Sequence, residues 1–294
     1  MKNAAQIAVL NIAIADSQFH TPESYVKLFT TTYKNRTSVK VRAEDVGMIG
    51  AFFSTIDGDA YEGYIYKYLE LDLTSNWYNV TSRKQAVQSE VDQIHVPDDL
   101  KPHFHFLPFI LYPSKHRLVY VCRDGKDTLS PGLAQGLFNR LFESPKIFNH
   151  FGKVSVTAHP SADALETMWK FQRLRELIIS ITPPNADDLH LSEQEVYQLM
   201  ENQRAATYTT TFNSTDKMGL KPSPGVKKLA EVAQENGKVL AKGLNEQGLG
   251  EERSTEQHPF VAKYPYDGTL EPVESLLRRV GREILNRVLR RRAQ

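Results

Sequence analysis

The arginines near the C-terminal end of the sequence are the densest group of side chains that could do chemistry. Residues 278–294 contain seven arginines and one acidic residue, Glu283, so the segment has a formal charge of +6. A guanidinium group stays ionised and binds phosphate through two parallel hydrogen bonds. We therefore expect these groups to be left unpaired by the rest of the molecule and to contact a nucleic-acid backbone. They are Arg278, Arg279, Arg282, Arg287, Arg290, Arg291 and Arg292.

A single amphipathic helix has to position these arginines. Pro272 is suited to the first turn of a helix, and an apolar stripe with helical spacing follows it. The arginines fall largely off that stripe, so a helix docked by its apolar face would display them outward. Cations near a helix C-terminus complement the macrodipole, but one or two would be enough for that. The stripe consists of Val273, Leu277, Val280, Ile284 and Val288.

Other interpretations of the charged helix remain open. The arginines could pair with acidic surface of the same chain or of a partner, or they could belong to a solvated tail. A basic amphipathic helix can also lie on an anionic membrane, although the apolar face here lacks Trp and Phe.

Four lysines upstream are secondary candidates for phosphate contacts. Lys227 and Lys228 lie in a helix predicted over Val226–Glu235, and Lys238 and Lys242 lie in the strand predicted after it. Contacts to phosphate give affinity without reading base sequence. The pattern predicts a non-enzymatic protein that binds double-stranded DNA with little sequence preference.

The sequence contains no pattern typical of a catalytic or cofactor site. We find no phosphate-binding loop, dinucleotide fingerprint, nucleophile elbow or H-E-x-x-H motif. His103 and His105 share one strand face, but a catalytic zinc site needs three protein ligands. Asp57 and Asp59 are better explained by a tight turn, and Cys122 by a buried strand position. We expect no catalytic residue, metal or cofactor, and a divergent metal-dependent nuclease stays as an alternative.

Aromatic residues alternate along one predicted strand. Tyr64, Tyr66 and Tyr68 share a face, which could stack bases or pack against a partner. Aromatic residues are also good strand formers, and we favour packing on the sheet for them.

The composition is that of an ordinary globular chain. Its 294 residues carry a formal charge of +1, with 40% hydrophobic and 24% charged residues, which excludes disordered, coiled-coil and collagen-like classes. The element pattern predicts an α+β fold with a β-rich N-terminal domain, 1–150, and an α/β C-terminal domain, 151–294, that ends in the basic helix. No stretch approaches the roughly 18 apolar residues of a membrane span, and no signal-peptide cleavage site follows the start. We expect a cytoplasmic protein.

The second half of the sequence predicts alternating strands and helices. Strands are expected over Glu176–Ile181 and Thr207–Phe212. Lys238–Lys242 and His258–Tyr264 are predicted to pair, with the polar stretch Gly243–Gln257 as a mobile connection between them.

Three segments of the second half carry a family resemblance. They are 177–187 (LIISITPPNAD), 229–243 (LAEVAQENGKVLAKG) and 254–259 (STEQHP). Together they resemble a bacterial family catalogued as domain of unknown function 4747, over about residues 150–290. More distantly, the two-part layout is similar to the phage-exclusion sensor RexA and to the KwaB component of the Kiwa defence system.

That resemblance implies a role in antiphage defence or phage exclusion, and RexA and KwaB imply DNA binding without marked sequence preference. It assigns no catalytic residue. We further expect a homodimer and a possible defence-system partner. The main alternative function is a protein-interaction subunit of a defence complex, with the basic helix docked on an acidic partner or on acidic surface of its own chain.

Overall fold

Two antiparallel sheets with helices packed on them form the molecule, which confirms the predicted α+β class. The structure is a computed structural model and describes residues 2–55, 58–97, 99–183 and 191–290. Its strands are β1 (Lys2–Ile14), β2 (Ser38–Arg42), β3 (Asp45–Ser54), β4 (Tyr61–Leu69), β5 (Tyr78–Asn79), β6 (Lys84–Gln85), β7 (His105–Tyr112), β8 (Arg117–Asp124), β9 (Asp127–Thr128), β10 (Val154–Ala158), β11 (Arg173–Ile181), β12 (Tyr208–Asn213), β13 (Gly237–Leu244), β14 (Gly250–Ser254) and β15 (Val261–Asp267). Its helices are α1 (Pro22–Lys34), α2 (Gln88–Val91), α3 (Pro131–Phe142), α4 (Pro145–Phe151), α5 (Ala164–Trp169), α6 (Leu191–Asn202), α7 (Pro224–Glu235) and α8 (Val273–Arg290).

The first sheet is built around β1. Its strand order is β10-β1-β8-β7-β4-β3-β2, while β15 pairs with the N-terminal half of β1 and β9 pairs with β8. The 13 residues of β1 are long enough to serve three partners, so this strand is completely buried along most of its length. The short ribbon β5-β6 lies apart from both larger sheets.

Helices cover both faces of the first sheet. Successive residues of a strand point to opposite faces, and β7 shows this clearly. The Phe109 ring lies 5.9 Å from that of Phe29 in α1, whereas Ile110 and Tyr112 lie against Gly281 in α8. α3 packs on the same side as α1, because Phe138 also contacts Phe29.

The basic helix predicted from sequence is α8, and it docks by the apolar stripe. Four residues of that stripe are buried, and Leu276 and Leu285 extend the contact with the sheet. Burying each such side chain contributes about 1.5–3 kcal/mol. α8 is therefore a structural part of the first core rather than an appended tail. The buried stripe residues are Leu277, Val280, Ile284 and Val288.

The second sheet is smaller and has the strand order β12-β11-β13-β14. α7 packs against β11 and β13. Leu177 and Ile179 of β11 and Val239 of β13 are buried in the same cluster as Ala230 and Ala233 of α7. This is a second hydrophobic core, separate from that of the first sheet.

A buried polar joint connects the two sheets. Arg117 of β8 is 1% exposed, and its guanidinium lies 3.6 Å from the carboxylate of Glu235 at the end of α7. The Asn11 side chain accepts a hydrogen bond from Arg117 and donates one of 2.9 Å to Asn236. Because a buried charge needs a partner, these contacts fix the second sheet to the first.

Two predictions about the second half are wrong. His258–Tyr264 does not pair with Lys238–Lys242, because β15 pairs with β1 and β13 pairs with β14. The supposed mobile connection Gly243–Gln257 contains β14, which follows a turn closed by Gly248 N–H donating to Asn245 O. The Asn245 side chain caps the same turn, so β13 and β14 form a local hairpin.

The sheets divide the chain differently from the predicted domains. β10, β15 and α8 all follow residue 150 but belong to the first sheet and its core. The division into 1–150 and 151–294 stays a prediction. Across the described ranges, no helix has the length and apolar character needed to cross a bilayer.

Candidate interaction surface around the C-terminal helix

The outer face of α8 displays the arginines as the spacing predicts. Arg278, Arg279, Arg282 and Arg287 are all exposed, on the side opposite the buried stripe. Arg290 is the last residue of α8, and nothing is described of its side chain; Arg291 and Arg292 lie outside the described residues.

Three of these arginines are paired with carboxylates of the same chain. Arg278 donates two hydrogen bonds of 2.7 Å to Glu62 of β4, and Arg279 donates one of 2.8 Å to Glu271. Arg282 forms an ion pair with Asp59, just before β4. The expectation that the guanidinium groups are left unpaired is therefore wrong for Arg278, Arg279 and Arg282. Glu62 and Asp59 are more than 200 residues away in sequence, so only the fold brings them to α8.

These ion pairs orient side chains more than they stabilise the fold. Each arginine is more than half exposed, and exposed pairs contribute about 0.2–1 kcal/mol. The pairing nevertheless shifts the pKa values of its members. The hydrogen bond with Glu62 raises the pKa of Arg278, and the hydrogen bond from Arg279 holds the pKa of Glu271 below its usual value.

Arg287 is different from its three neighbours. Its guanidinium lies over the ring of Phe260, 5.6 Å from the centroid, which is a cation–π contact. Within the described residues, no carboxylate lies at ion-pairing distance from it. The positive charge that remains at this surface is thus shifted toward the end of α8.

The four candidate lysines lie on elements of the second sheet. The Lys227 ammonium is 5.7 Å from the centre of the Trp169 ring, and Lys228 is exposed on α7. Lys238 pairs with Glu256, and Lys242 pairs with Glu176 at 2.7 Å. Lys238 and Lys242 are already neutralised, and all four lysines lie on β13 or on α7 of the second sheet, whereas the arginines lie on α8, which docks on the first sheet.

An exposed aromatic cluster lies beside the first turns of α8, and we call Tyr64, Tyr66, Phe104 and Phe106 the aromatic surface. The ring centroids of Tyr64 and Phe106 are 5.5 Å apart, and those of Tyr66 and Phe104 are 4.9 Å apart, both nearly perpendicular. Phe104 is 53% exposed and Phe106 is 41% exposed. Edge-to-face pairs of this kind hold the rings in fixed orientations.

One hydrogen bond connects the aromatic surface to α8. Tyr64 Oη donates to Glu274 in the first turn of α8, at 3.4 Å. Partial burial, and then the charge of Glu274, raise the pKa of Tyr64. Sequence reasoning identified Tyr64 and Tyr66 but missed Phe104 and Phe106. The alternation Phe104-His105-Phe106 was the available signal.

A cleft of about 860 Å³ runs between α8 and the β3-β4 hairpin. It is lined by Phe53, Tyr112 and the three paired arginines. Burial raises the pKa of Tyr112 to about 12, so its hydroxyl is a neutral hydrogen-bond donor at physiological pH. Asp59 and Glu62 also line the cleft, so their carboxylates balance the guanidinium groups there, and the cleft can hold a neutral polar group.

The other side chains considered for chemistry have structural roles. His105 Nδ1 pairs with Asp127, and Asp59 pairs with Arg282; Asp57 lies outside the described residues. Cys122 is buried in β8, and this burial raises the pKa of its thiol to about 12. In the described part of the chain, no three His, Cys, Asp or Glu residues are grouped so that they could hold a metal ion.

Comparison with known proteins identifies the family of this chain. No curated protein matches the chain. The similarity to RexA and KwaB stays a prediction. A family described as domain of unknown function (DUF4747) matches residues 4–282, which extends the resemblance seen over residues 150–290 to nearly the whole chain, including both sheets and most of α8. The chain belongs to the DUF4747 family.

Proposed function

We propose that this protein is a protein-interaction subunit that binds a partner protein through the aromatic surface. The observation that carries the proposal is the exposure of Phe104 and Phe106 beside paired charges. Aromatic residues and arginine are enriched where proteins bind one another. Following the family resemblance, we place this subunit in a bacterial antiphage-defence or phage-exclusion complex in the cytoplasm.

The surroundings of the aromatic surface suit a protein partner. Four aromatic rings provide an apolar centre, and the Arg278–Glu62 pair and the Tyr64–Glu274 hydrogen bond form a polar rim. Such a centre with a satisfied rim is the usual organisation of a protein–protein interface.

The local charges favour a protein over a nucleic acid at this position. Arg278, Arg279 and Arg282 are balanced by three carboxylates within hydrogen-bonding distance. A phosphate group approaching these arginines would also approach Glu62, Glu271 and Asp59. The repulsion would offset much of the attraction on which backbone binding depends.

The test replaces both phenylalanines by serine and follows the co-purifying proteins. The double variant F104S/F106S should lose a stoichiometric partner when a tagged chain is purified from its native host. The control is F148S, which changes a phenylalanine that is 48% exposed on α4 and should keep the partner. Identical co-purifying proteins from F104S/F106S and the unchanged protein would refute the proposal.

DNA binding without sequence preference is the second candidate function. It is favoured by Arg287, which has no carboxylate partner among the described residues, and by the arginines that follow it in sequence. Double-stranded DNA would then contact the end of α8 rather than its middle.

A gel-shift salt titration tests this second candidate. Removing residues 278–294 would also remove buried Val280, Ile284 and Val288, so neutral substitutions are the better variant. The variant R287Q/R290Q/R291Q/R292Q should reduce the slope of log affinity against log salt by about 3–4, because each phosphate contact contributes about 0.9. A slope unchanged by the four substitutions, or no binding at low salt, would eliminate this function.

The metal-dependent nuclease remains a further alternative that no described group of side chains favours. Cleavage of plasmid in the presence of Mg²⁺ or Mn²⁺ by the unchanged protein would replace both proposals above.

A further inference from the structure

The edges of the two sheets differ in how they avoid pairing with other strands. In the described part of the chain, five edge strands have five or more residues: β2, β10, β12, β14 and β15. An exposed edge presents unpaired backbone groups, and proteins protect such edges with charges, proline or covering groups. Three of the five carry such residues: Lys40 and Arg42 in β2, Glu251, Glu252 and Arg253 in β14, and Lys263 and Pro265 in β15.

The fourth edge, β10, carries no charge but is covered by α3. Asn139 donates to Val156 O at 3.0 Å and accepts from Val156 N–H at 2.8 Å. Gln135 accepts from Ala158 N–H at 2.8 Å. Side-chain amides thus occupy the outward backbone groups of β10.

The fifth edge, β12, has none of these protections from the residues that the structure describes. Its sequence is Tyr-Thr-Thr-Thr-Phe-Asn, with no charge and no proline. No backbone or side-chain group of the described residues bonds to its outer edge. Three consecutive threonines also give it the β-branched character that favours an extended strand.

The ladder between β11 and β12 shows which backbone groups of β12 face outward. Ser214 N–H donates to Arg175 O at 2.8 Å, and the register places Glu176 opposite Asn213. Hydrogen-bonded pairs alternate along an antiparallel ladder. Tyr208, Thr210 and Phe212 therefore bond to β11, while the N–H and C=O groups of Thr209 and Thr211 point away from the sheet.

We propose that β12 pairs in antiparallel fashion with β12 of a second copy of this chain, so that the two small sheets form one eight-stranded sheet. In this arrangement Thr209 lies opposite Thr211 of the second copy, and the two symmetric pairs make four backbone hydrogen bonds. Tyr208 then lies opposite Phe212 of the second copy.

Self-pairing is favoured over pairing with an unrelated strand because β12 is self-complementary. A two-fold axis places Thr against Thr and Tyr against Phe, and aromatic and threonine pairs across strands are stabilising. The same operation at β2 or β14 would bring like charges close together.

Analytical ultracentrifugation of the full chain tests the pairing. The unchanged protein should sediment as a dimer. T211P removes two of the four intermolecular hydrogen bonds but keeps the bonds to β11, and proline is tolerated on an edge strand. T211P should weaken dimerisation by at least about tenfold, and T209K should do the same because it places a charge in the interface.

The matched control is S38K, which adds the same charge to an exposed position of the β2 edge and should remain dimeric. Far-ultraviolet circular dichroism checks that each variant is folded. If T211P does not fold, the sedimentation of T209K alone tests the proposed pairing. A monomeric unchanged protein overturns the proposal, as does a dimer that survives every folded β12 variant. F104S/F106S should stay dimeric, so failure here is distinct from failure of the proposed partner surface.

Discussion

The first and second sheets bury their strands to different degrees. The first has α1 and α3 on one face and α8 on the other, and its long edges are charged, contain proline or are covered by amides. In the second, α7 covers one face, while Thr209 and Thr211 are exposed at an edge that no other described residue covers. The difference indicates that the first sheet gives the molecule its stability and the second is better suited to assembly.

Breaking the polar joint between the sheets by substitution of Arg117 should change the free energy of unfolding the most. In R117A, the carboxylate of Glu235 loses the guanidinium at 3.6 Å, and breaking a buried ion pair destabilises by about 3–5 kcal/mol. Denaturant unfolding measures the change. R123A, at an exposed arginine of the same strand, should stay within about 0.5 kcal/mol of the unchanged protein. Equal losses in the two variants would mean that the sheets are not fixed by this joint.

The contribution of α8 to the first core is the next largest. Ile284 is completely buried, and I284A should lower the free energy of unfolding by about 2–4 kcal/mol through lost burial and the cavity left behind. N286A changes an exposed residue of the same helix and serves as the control. If I284A lowered the free energy of unfolding no more than N286A does, the packing of α8 would not contribute to the stability of the first core.

The cover on β10 should have a smaller effect that sharpens the contrast with β12. N139A removes both hydrogen bonds to Val156 and should destabilise by about 1–2 kcal/mol. Q135A removes one bond to the edge of β10, from Ala158 N–H, together with an exposed bond to Glu256, and should destabilise by about half as much. Concentration-dependent light scattering should also rise for N139A, since a second edge becomes available. Unchanged stability and scattering would argue that the amides do not protect this edge.

The smallest effect is a pH dependence at the surface of α8. Arg279 lowers the pKa of Glu271 in the folded state, so the stabilisation is present above the unfolded-state pKa of this carboxyl. The stabilisation is lost as the pH falls through the lowered pKa that Glu271 has in the folded state. Free energies of unfolding of the unchanged protein and E271Q should therefore differ at neutral pH and converge in acid. A constant difference at all pH values would contradict the pairing.

Local patterns in the sequence predict local structure well. The apolar spacing from Val273 to Val288 identifies α8 and its buried face, because helical periodicity is a property of neighbouring residues. The same holds for the strands predicted over Glu176–Ile181 and Thr207–Phe212, which correspond to β11 and β12 within three residues at either end.

Contacts between distant segments are what the sequence could not predict. The pairing of Arg278 with Glu62 and of β15 with β1 depends on the order of strands in the sheet. A charge count made within residues 278–294 cannot include carboxylates that approach from β4. The aromatic surface was predicted in part: Tyr64 and Tyr66 alternate along one strand, but their ring partners are Phe106 of β7 and Phe104 just before it.

The position of β1 has a consequence for how the chain matures on the ribosome. Lys2 to Ala8 pair with Val261 to Asp267, so this half of β1 meets these partners only after about 250 further residues have been synthesised. Until then this half of β1 can pair only with β8, and its other edge is open to wrong partners. Nascent chains that stop before residue 261 should therefore need chaperones that shield an exposed strand.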